Sequence, residues 1–98
     1  MAIVQFSVVP LGTASTSLSK YVAEIHKVLE RSPLKCQLTP MGTILEGPLE
    51  DILTAVRQAH EVPFQQGAGR VMTLINIDDR RDKAASALAK VESVRAKL

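Results

Sequence analysis

Between Ala2 and Val9 apolar residues alternate with others, and from Leu18 onward they recur every third or fourth position. The order in which these two periods follow one another restricts the fold more than any other feature. In the first stretch Ala2, Val4, Phe6 and Val8 form a wholly apolar face, while Ile3, Gln5, Ser7 and Val9 form a mixed one. That is a strand with one side on a core. Pro10-Leu11-Gly12-Thr13 ends it, and the hydroxyl-rich run from Thr13 to Ser19 offers N-caps for a helix. Leu18, Tyr21, Val22, Ile25, Val28 and Leu29 carry that helix to about Arg31, where Ser32-Pro33 stops it. Leu34–Thr39 and Thr43–Glu46 then flank the turn Pro40-Met41-Gly42 as a hairpin.

Gly47-Pro48 opens a second helix, with Pro48 at its first position and Glu50 and Asp51 favouring its dipole. Leu49, Ile52, Leu53, Val56 and either Ala59 or His60 form its buried stripe, and residues 65–69 form a loop. Arg70–Asp78 is a fourth strand, with Val71, Thr73, Ile75 and Ile77 on one side and Met72, Leu74 and Asn76 on the other. A charged turn follows, and Ala84, Leu88, Val91, either Val94 or Arg95, and Leu98 define a last helix. The order βαββαβ plus a C-terminal helix predicts one α+β domain over residues 1–98. It is a ferredoxin-like sandwich whose two helices cover one face of a four-stranded antiparallel sheet. Ile3, Gln5, Ser7, Val9, Gln37, Thr39, Ile44, Glu46, Met72, Leu74 and Asn76 fall on the opposite, open face. That face is too apolar to be left to water, which points to a second subunit, a ligand or both.

Bulk properties narrow the partners. The formal net charge is only +2, with 12 basic residues scattered among 10 acidic ones, so no basic stripe for nucleic acid is present. Aromatic residues make up 3% of the chain, too few for base-stacking platforms. The single cysteine, Cys36, reads as a small buried strand residue and suits a reducing compartment. The N-terminus reads as a strand and not a signal peptide, and no apolar run reaches the roughly 20 residues of a membrane span. A soluble, cytoplasmic protein is expected.

Catalytic or metal-binding constellations are absent at the level of motif: neither His26, read as exposed, nor His60, read as capping the second helix, has a partner at ligand spacing. No enzyme and no metal are expected. Glu46, between Leu45 and Gly47 in the hairpin, is a carboxylate that needs a donor or a cation. It fits either a small-molecule site formed with Thr39, Gln37, Ser7 and Gln5, or a sheet-edge glutamate reaching solvent or a lysine of another subunit. Arg80 and Arg81 precede a helix start and could hold an anion, although Asp78, Asp79 and Asp82 compete for them.

Several segments together resemble the small thiamine-binding protein family: Val9-Pro10-Leu11-Gly12-Thr13, Thr39-Pro40-Met41-Gly42-Thr43, Glu46-Gly47, His60-Glu61, Arg70-Val71, Ile77-Asp78-Asp79-Arg80-Arg81-Asp82 and Lys90-Val91-Glu92-Ser93-Val94. The resemblance covers essentially the whole chain. It implies a ferredoxin-like fold that pairs through its sheets into homodimers and then homotetramers. It also implies binding of thiamine or its hydroxymethylpyrimidine part without catalysis. The matching positions expected at the open face or its rim are Ser7, Thr39, Met41, Gly42, Thr43, Glu46 and, by position only, Asn76. The competing expectation is a regulatory or structural homo-oligomer with an anion effector at Arg80 and Arg81. Nucleic-acid binding and catalysis with Glu46 or His60 as base stand behind both.

Overall fold

The computed structural model describes residues 1–14, 18–84 and 86–98. Its elements are β1 (Ala2–Pro10), α1 (Ser19–Leu29), β2 (Lys35–Thr39), β3 (Gly42–Gly47), α2 (Leu49–Gln65), β4 (Val71–Asp79) and α3 (Ala87–Arg95). The strands form one antiparallel sheet in the order β2-β3-β1-β4, so β1 is paired on both sides. This is the ferredoxin-like arrangement that the sequence order demands.

The pairing register sorts the faces. Val4 lies opposite both Leu45 and Ile77, and Phe6 opposite both Thr43 and Ile75, so these residues share the helix-bearing side. The alternate set, from Ile3 beside Glu46 and Asp78 to Ser7 beside Leu74, shares the other. All the residues assigned above to the open face lie on it. The core sits between β1, β3 and the two covering helices: Val4, Leu45, Ile52 and Ala59 are completely buried, with Phe6, Ile25, Leu29 and Val56 around them. Burying one such aliphatic side chain contributes about 1.5–3 kcal/mol. Gly47 ends β3 with a φ of +153°, a conformation that side chains rarely adopt, and an added Cβ would also press on the Leu34 side chain.

Helix limits differ from the periodicity in instructive ways. The N-cap of α1 is Leu18, with no side-chain cap, so the hydroxyls expected to cap it do not do so from that position. Ser15, Thr16 and Ser17 lie outside the described residues. Pro48 is the N-cap of α2 and not its first residue. That helix runs through Pro63 to Gln65, because Val62 and Pro63 are buried and packing outweighs the missing amide. His60 therefore sits inside α2, not at its end. Its Nδ1 is 2.6 Å from Thr73 Oγ1 on β4, and its ring meets Phe64 edge-on at 5.5 Å. No described helix is long and apolar enough to cross a membrane.

Leu45→Ala should lose about 2–5 kcal/mol of unfolding free energy. Leu38→Ala, at a side chain 60% exposed on the same hairpin, should change it by less than about 0.5 kcal/mol. Urea denaturation of the two variants checks this, and near-equal losses would contradict the core assignment.

Candidate functional site

The strands are unequal in length, and this shapes the one end of the sheet where candidate residues gather. β4 pairs with β1 from Ala2 to Pro10, whereas β3 pairs with it only from Ala2 to Phe6. Beyond Phe6 the hairpin-facing edge of β1 has no strand partner among the described residues. The N-terminal half of α1 lies above, and a cleft of about 290 Å³ opens between them. Phe6, Val8, Leu18, Val22, Ile25 and Leu38 supply apolar walls, and Ser7, Thr39, Met41, Gly42 and Thr43 border it as well. Mostly apolar walls with a few polar groups are the usual composition of a small-molecule site, and the volume lies at the lower end of the usual range.

The polar groups are held firmly. Thr39 Oγ1 donates to the Gly42 carbonyl at 2.7 Å and accepts from the Met41 amide at 3.3 Å, which closes the hairpin turn. Met41 is left 82% exposed at the lip. Gly42 fits tightly: a Cβ there would come within 2.8 Å of the Phe6 carbonyl oxygen. Thr43 is buried, opposite Phe6 and Leu38, and its hydroxyl lies 3.2 Å from Nε2 of His26. Its side chain thus faces the helix layer at the hairpin end of the sheet, where the resemblance expected the open face or its rim. The parity of β3 requires this, because Leu45 and Thr43 lie two residues apart and share a side.

His26 is half-buried between α1 and the hairpin, where an exposed position was expected; its Nδ1 lies 3.9 Å from Cys36 Sγ. Which ring nitrogen carries the proton decides the direction of both contacts. Cys36 itself is exposed, contrary to the buried reading, because β2 is an edge strand at the margin of the helix layer. Its sulfur is nonetheless partly screened from water by its neighbours. That desolvation, with Glu30 nearby, raises the thiol pKa. Residue spacing alone could not reveal the His26–Thr43 contact, which joins positions 17 apart across two elements.

Glu46 and Asn76 stand elsewhere. Glu46 is four residues along β3 from Gly42, roughly 13 Å away at the rise of a strand. It is buried, and its Oε1 accepts the Ala87 amide at 2.6 Å. The carboxylate thus meets the start of α3, where the helix dipole favours negative charge, and Ser86 Oγ caps the same turn through Ala89 N–H. Asn76 is exposed in mid-sheet beside Gln5, and a shallow depression over Ile3, Gln5, Ile44 and Asn76 reaches Ala87 and Lys90. The expected patch of Glu46 with Thr39 and Ser7 is therefore split between two ends of the sheet. Arg80 is held by both carboxylate oxygens of Asp82 at 2.6 and 2.9 Å, and Arg81 by Asp79 at 2.7 Å. Those guanidinium hydrogen bonds hold the Asp82 and Asp79 carboxyls below the usual carboxylate range, so the turn largely satisfies its own charges.

Two outcomes follow from these contacts. A raised pKa leaves less thiolate at a given pH, so at pH 8 iodoacetamide should alkylate native Cys36 at least a few-fold more slowly than the unfolded chain. Glu30→Gln should narrow the gap, and equal native and unfolded rates would contradict the assignment. Glu46→Ala strips the Ala87 amide of its charged acceptor and should cost about 1–3 kcal/mol. It should also speed hydrogen exchange in the first turn of α3, and unchanged exchange there would count against the contact.

Comparison with known proteins assigns the chain. The profile of the thiamine-binding protein family matches residues 4–95. The UPF0045 protein YqgV of Bacillus subtilis is 47% identical over 96% of this chain and 94% of its own length. A UPF0045 protein of Methanothermobacter thermautotrophicus is 43% identical over the full length of both chains. Among solved structures, hypothetical protein MJ1052 of Methanocaldococcus jannaschii superposes with a TM-score of 0.86 at 34% identity, covering 96% of this chain and 95% of that one. A Thermotoga maritima protein, named as a candidate in thiamine biosynthesis or salvage, shares the fold with a TM-score of 0.77 at 22% identity, over 96% of this chain and 98% of that one. By sequence match along nearly its whole length, and by the fold that accompanies it, the chain belongs to the thiamine-binding protein family.

Proposed function

We propose that this chain is a cytoplasmic, non-enzymatic binding protein for thiamine or its hydroxymethylpyrimidine part, working as a homo-oligomer joined through its sheets. We propose further that the ligand enters the cleft beneath the N-terminal half of α1. One observation carries the reading: the cleft brings Ser7, Thr39, Met41, Gly42 and Thr43 together against aliphatic walls. The family assignment supports this ligand class, and the thiamine-related name of the Thermotoga protein is consistent with it.

The chemistry of an aminopyrimidine suits these surroundings. Its amino group donates beside a ring nitrogen that accepts, and a strand edge without a partner offers a carbonyl and an amide side by side. The β1 edge beyond Phe6 is such an edge. The Thr43 hydroxyl, shared with His26, adds a group that donates or accepts as required. Flat ring faces would lie against Phe6, Val22, Ile25 and the Met41 thioether, which adapts to aromatic surfaces. The cationic thiazolium would project past the exposed lip. Glu46 and Asn76 then serve the open face and not the ring.

Ligand at a hundredfold its dissociation constant should stabilise the native state by about 2.7 kcal/mol and raise the melting temperature by roughly 10–20 °C. Thr43→Val should remove most of that rise while Asn76→Ala keeps it, and thiamine recovered after incubation should be chemically intact. No shift with millimolar thiamine or hydroxymethylpyrimidine would end the proposal. A loss confined to Asn76→Ala would move the site to the open face.

A further inference from the structure

Three polar side chains from three different elements meet at the hairpin end of the sheet. Cys36 on β2 lies opposite Leu45, and Thr43 on β3 lies opposite Leu38 and Phe6, so both belong to the helix-bearing side. His26 of α1 stands above them, with Nδ1 3.9 Å from Cys36 Sγ and Nε2 3.2 Å from Thr43 Oγ1. Thr43 is buried and borders the cleft, and among the described residues His26 is the partner of its hydroxyl.

A neutral imidazole carries one proton, so its two nitrogens take opposite roles and each contact dictates the other. The outer contact settles which. Sulfur accepts weakly and a ring nitrogen accepts well, so the favourable arrangement has the Cys36 S–H donating to Nδ1. The thiol keeps its proton for this, because desolvation and the nearby Glu30 carboxylate raise its pKa. With Nδ1 accepting, the ring proton sits on Nε2 and is donated to Thr43 Oγ1. This direction matters in the cleft. A hydroxyl has one proton and two lone pairs. Here one lone pair meets His26 and the proton stays free. In the opposite tautomer Thr43 would give its proton to Nε2 and offer a ligand nothing but a lone pair.

We propose that Cys36, His26 and Thr43 form a hydrogen-bond relay that reserves the Thr43 proton for an acceptor atom of the ligand. His26 and Cys36 are positioning residues in it, since neither lines the cleft. The inference rests on the ligand reading above and sharpens it. With the amino group and its adjacent ring nitrogen on the β1 edge, the second ring nitrogen of the pyrimidine is the acceptor that Thr43 meets. A ring with C–H at that place is selected against, because it would leave the buried hydroxyl proton without a partner.

Ring-nitrogen NMR of the full chain without ligand, at pH 8, where an imidazole of ordinary pKa (about 6.5) is neutral, reads the tautomer directly. His26 should carry its proton on Nε2, and Cys36→Ser, which keeps a donor, should preserve that form. Cys36→Asp puts a carboxylate acceptor beside Nδ1 and should move the proton there. Hydroxymethylpyrimidine should bind the wild type about tenfold tighter than the aminopyridine with C–H in place of the ring nitrogen opposite the amino group, the contribution of one such hydrogen bond. In Cys36→Asp the two compounds should bind nearly alike, which a general loosening of the hairpin would not produce. A wild-type His26 protonated on Nδ1, or a preference that survives the tautomer reversal in Cys36→Asp, would overturn the relay. Failure of the wild type to bind either compound would instead end the ligand reading, and the tautomer would then decide the relay by itself.

Discussion

Everything in this domain is arranged around β1, the strand hydrogen-bonded on both sides. Its inner face, Ala2, Val4, Phe6 and Val8, is the floor on which α1 and α2 settle. Its two ladders fix the register of every other element, because a slip of one residue would turn Phe6 outward and Gln5 inward. The ladders are also unequal: β4 follows β1 to Pro10, while the hairpin stops at Phe6. Where the shorter neighbour ends, no described strand stands between α1 and the β1 edge, and the cleft opens there. The candidate site thus follows from strand length.

The polar side chains singled out in the sequence are mostly engaged in holding the scaffold. Thr39 closes its own turn, Thr43 meets His26, and Glu46 fastens the last helix. A carboxylate on an apolar strand needs a compensating donor, and the chain supplies that donor itself with a helix start 41 residues further on. The described polar groups left along the cleft are the Ser7 side chain, main-chain groups of the β1 edge and the Thr43 hydroxyl shared with His26, set in aliphatic surface. Such a site reads shape and hydrogen-bond pattern more than charge.

Much of the fold was legible because it follows from local periodicity. The alternation of β1 and β4, the Pro40-Met41-Gly42 turn and the stripe of α2 placed the elements in order and sorted the two faces of the sheet. The errors came where a long-range contact overrode a local signal. Helix α2 carries Pro63 because the core holds Val62 and Pro63 in place, while the hydroxyls read as caps for α1 include Ser15, Thr16 and Ser17, which lie outside the described residues. His26 turned out to be a bridging residue because Thr43 happens to lie beneath it. The candidate site was legible in part: a motif put Thr39 to Thr43 in one run, which borders the cleft, and two-residue parity alone would have turned Thr43 inward. The roughly 13 Å that separates Glu46 from the hairpin tip also follows from strand rise, but the start of α3 as its partner does not.

Gly42 carries a consequence out of proportion to its size. The carbonyl that a methyl group there would strike belongs to Phe6, the last β1 residue that the hairpin grips. Any larger residue at this point would act as a wedge at the mouth of the crevice. It would prise the hairpin from its neighbour at the final rung and draw Thr43 away from the imidazole above it. The width of the entrance is therefore governed by a glycine at the lip, where one added carbon would press on the main chain of the neighbouring strand.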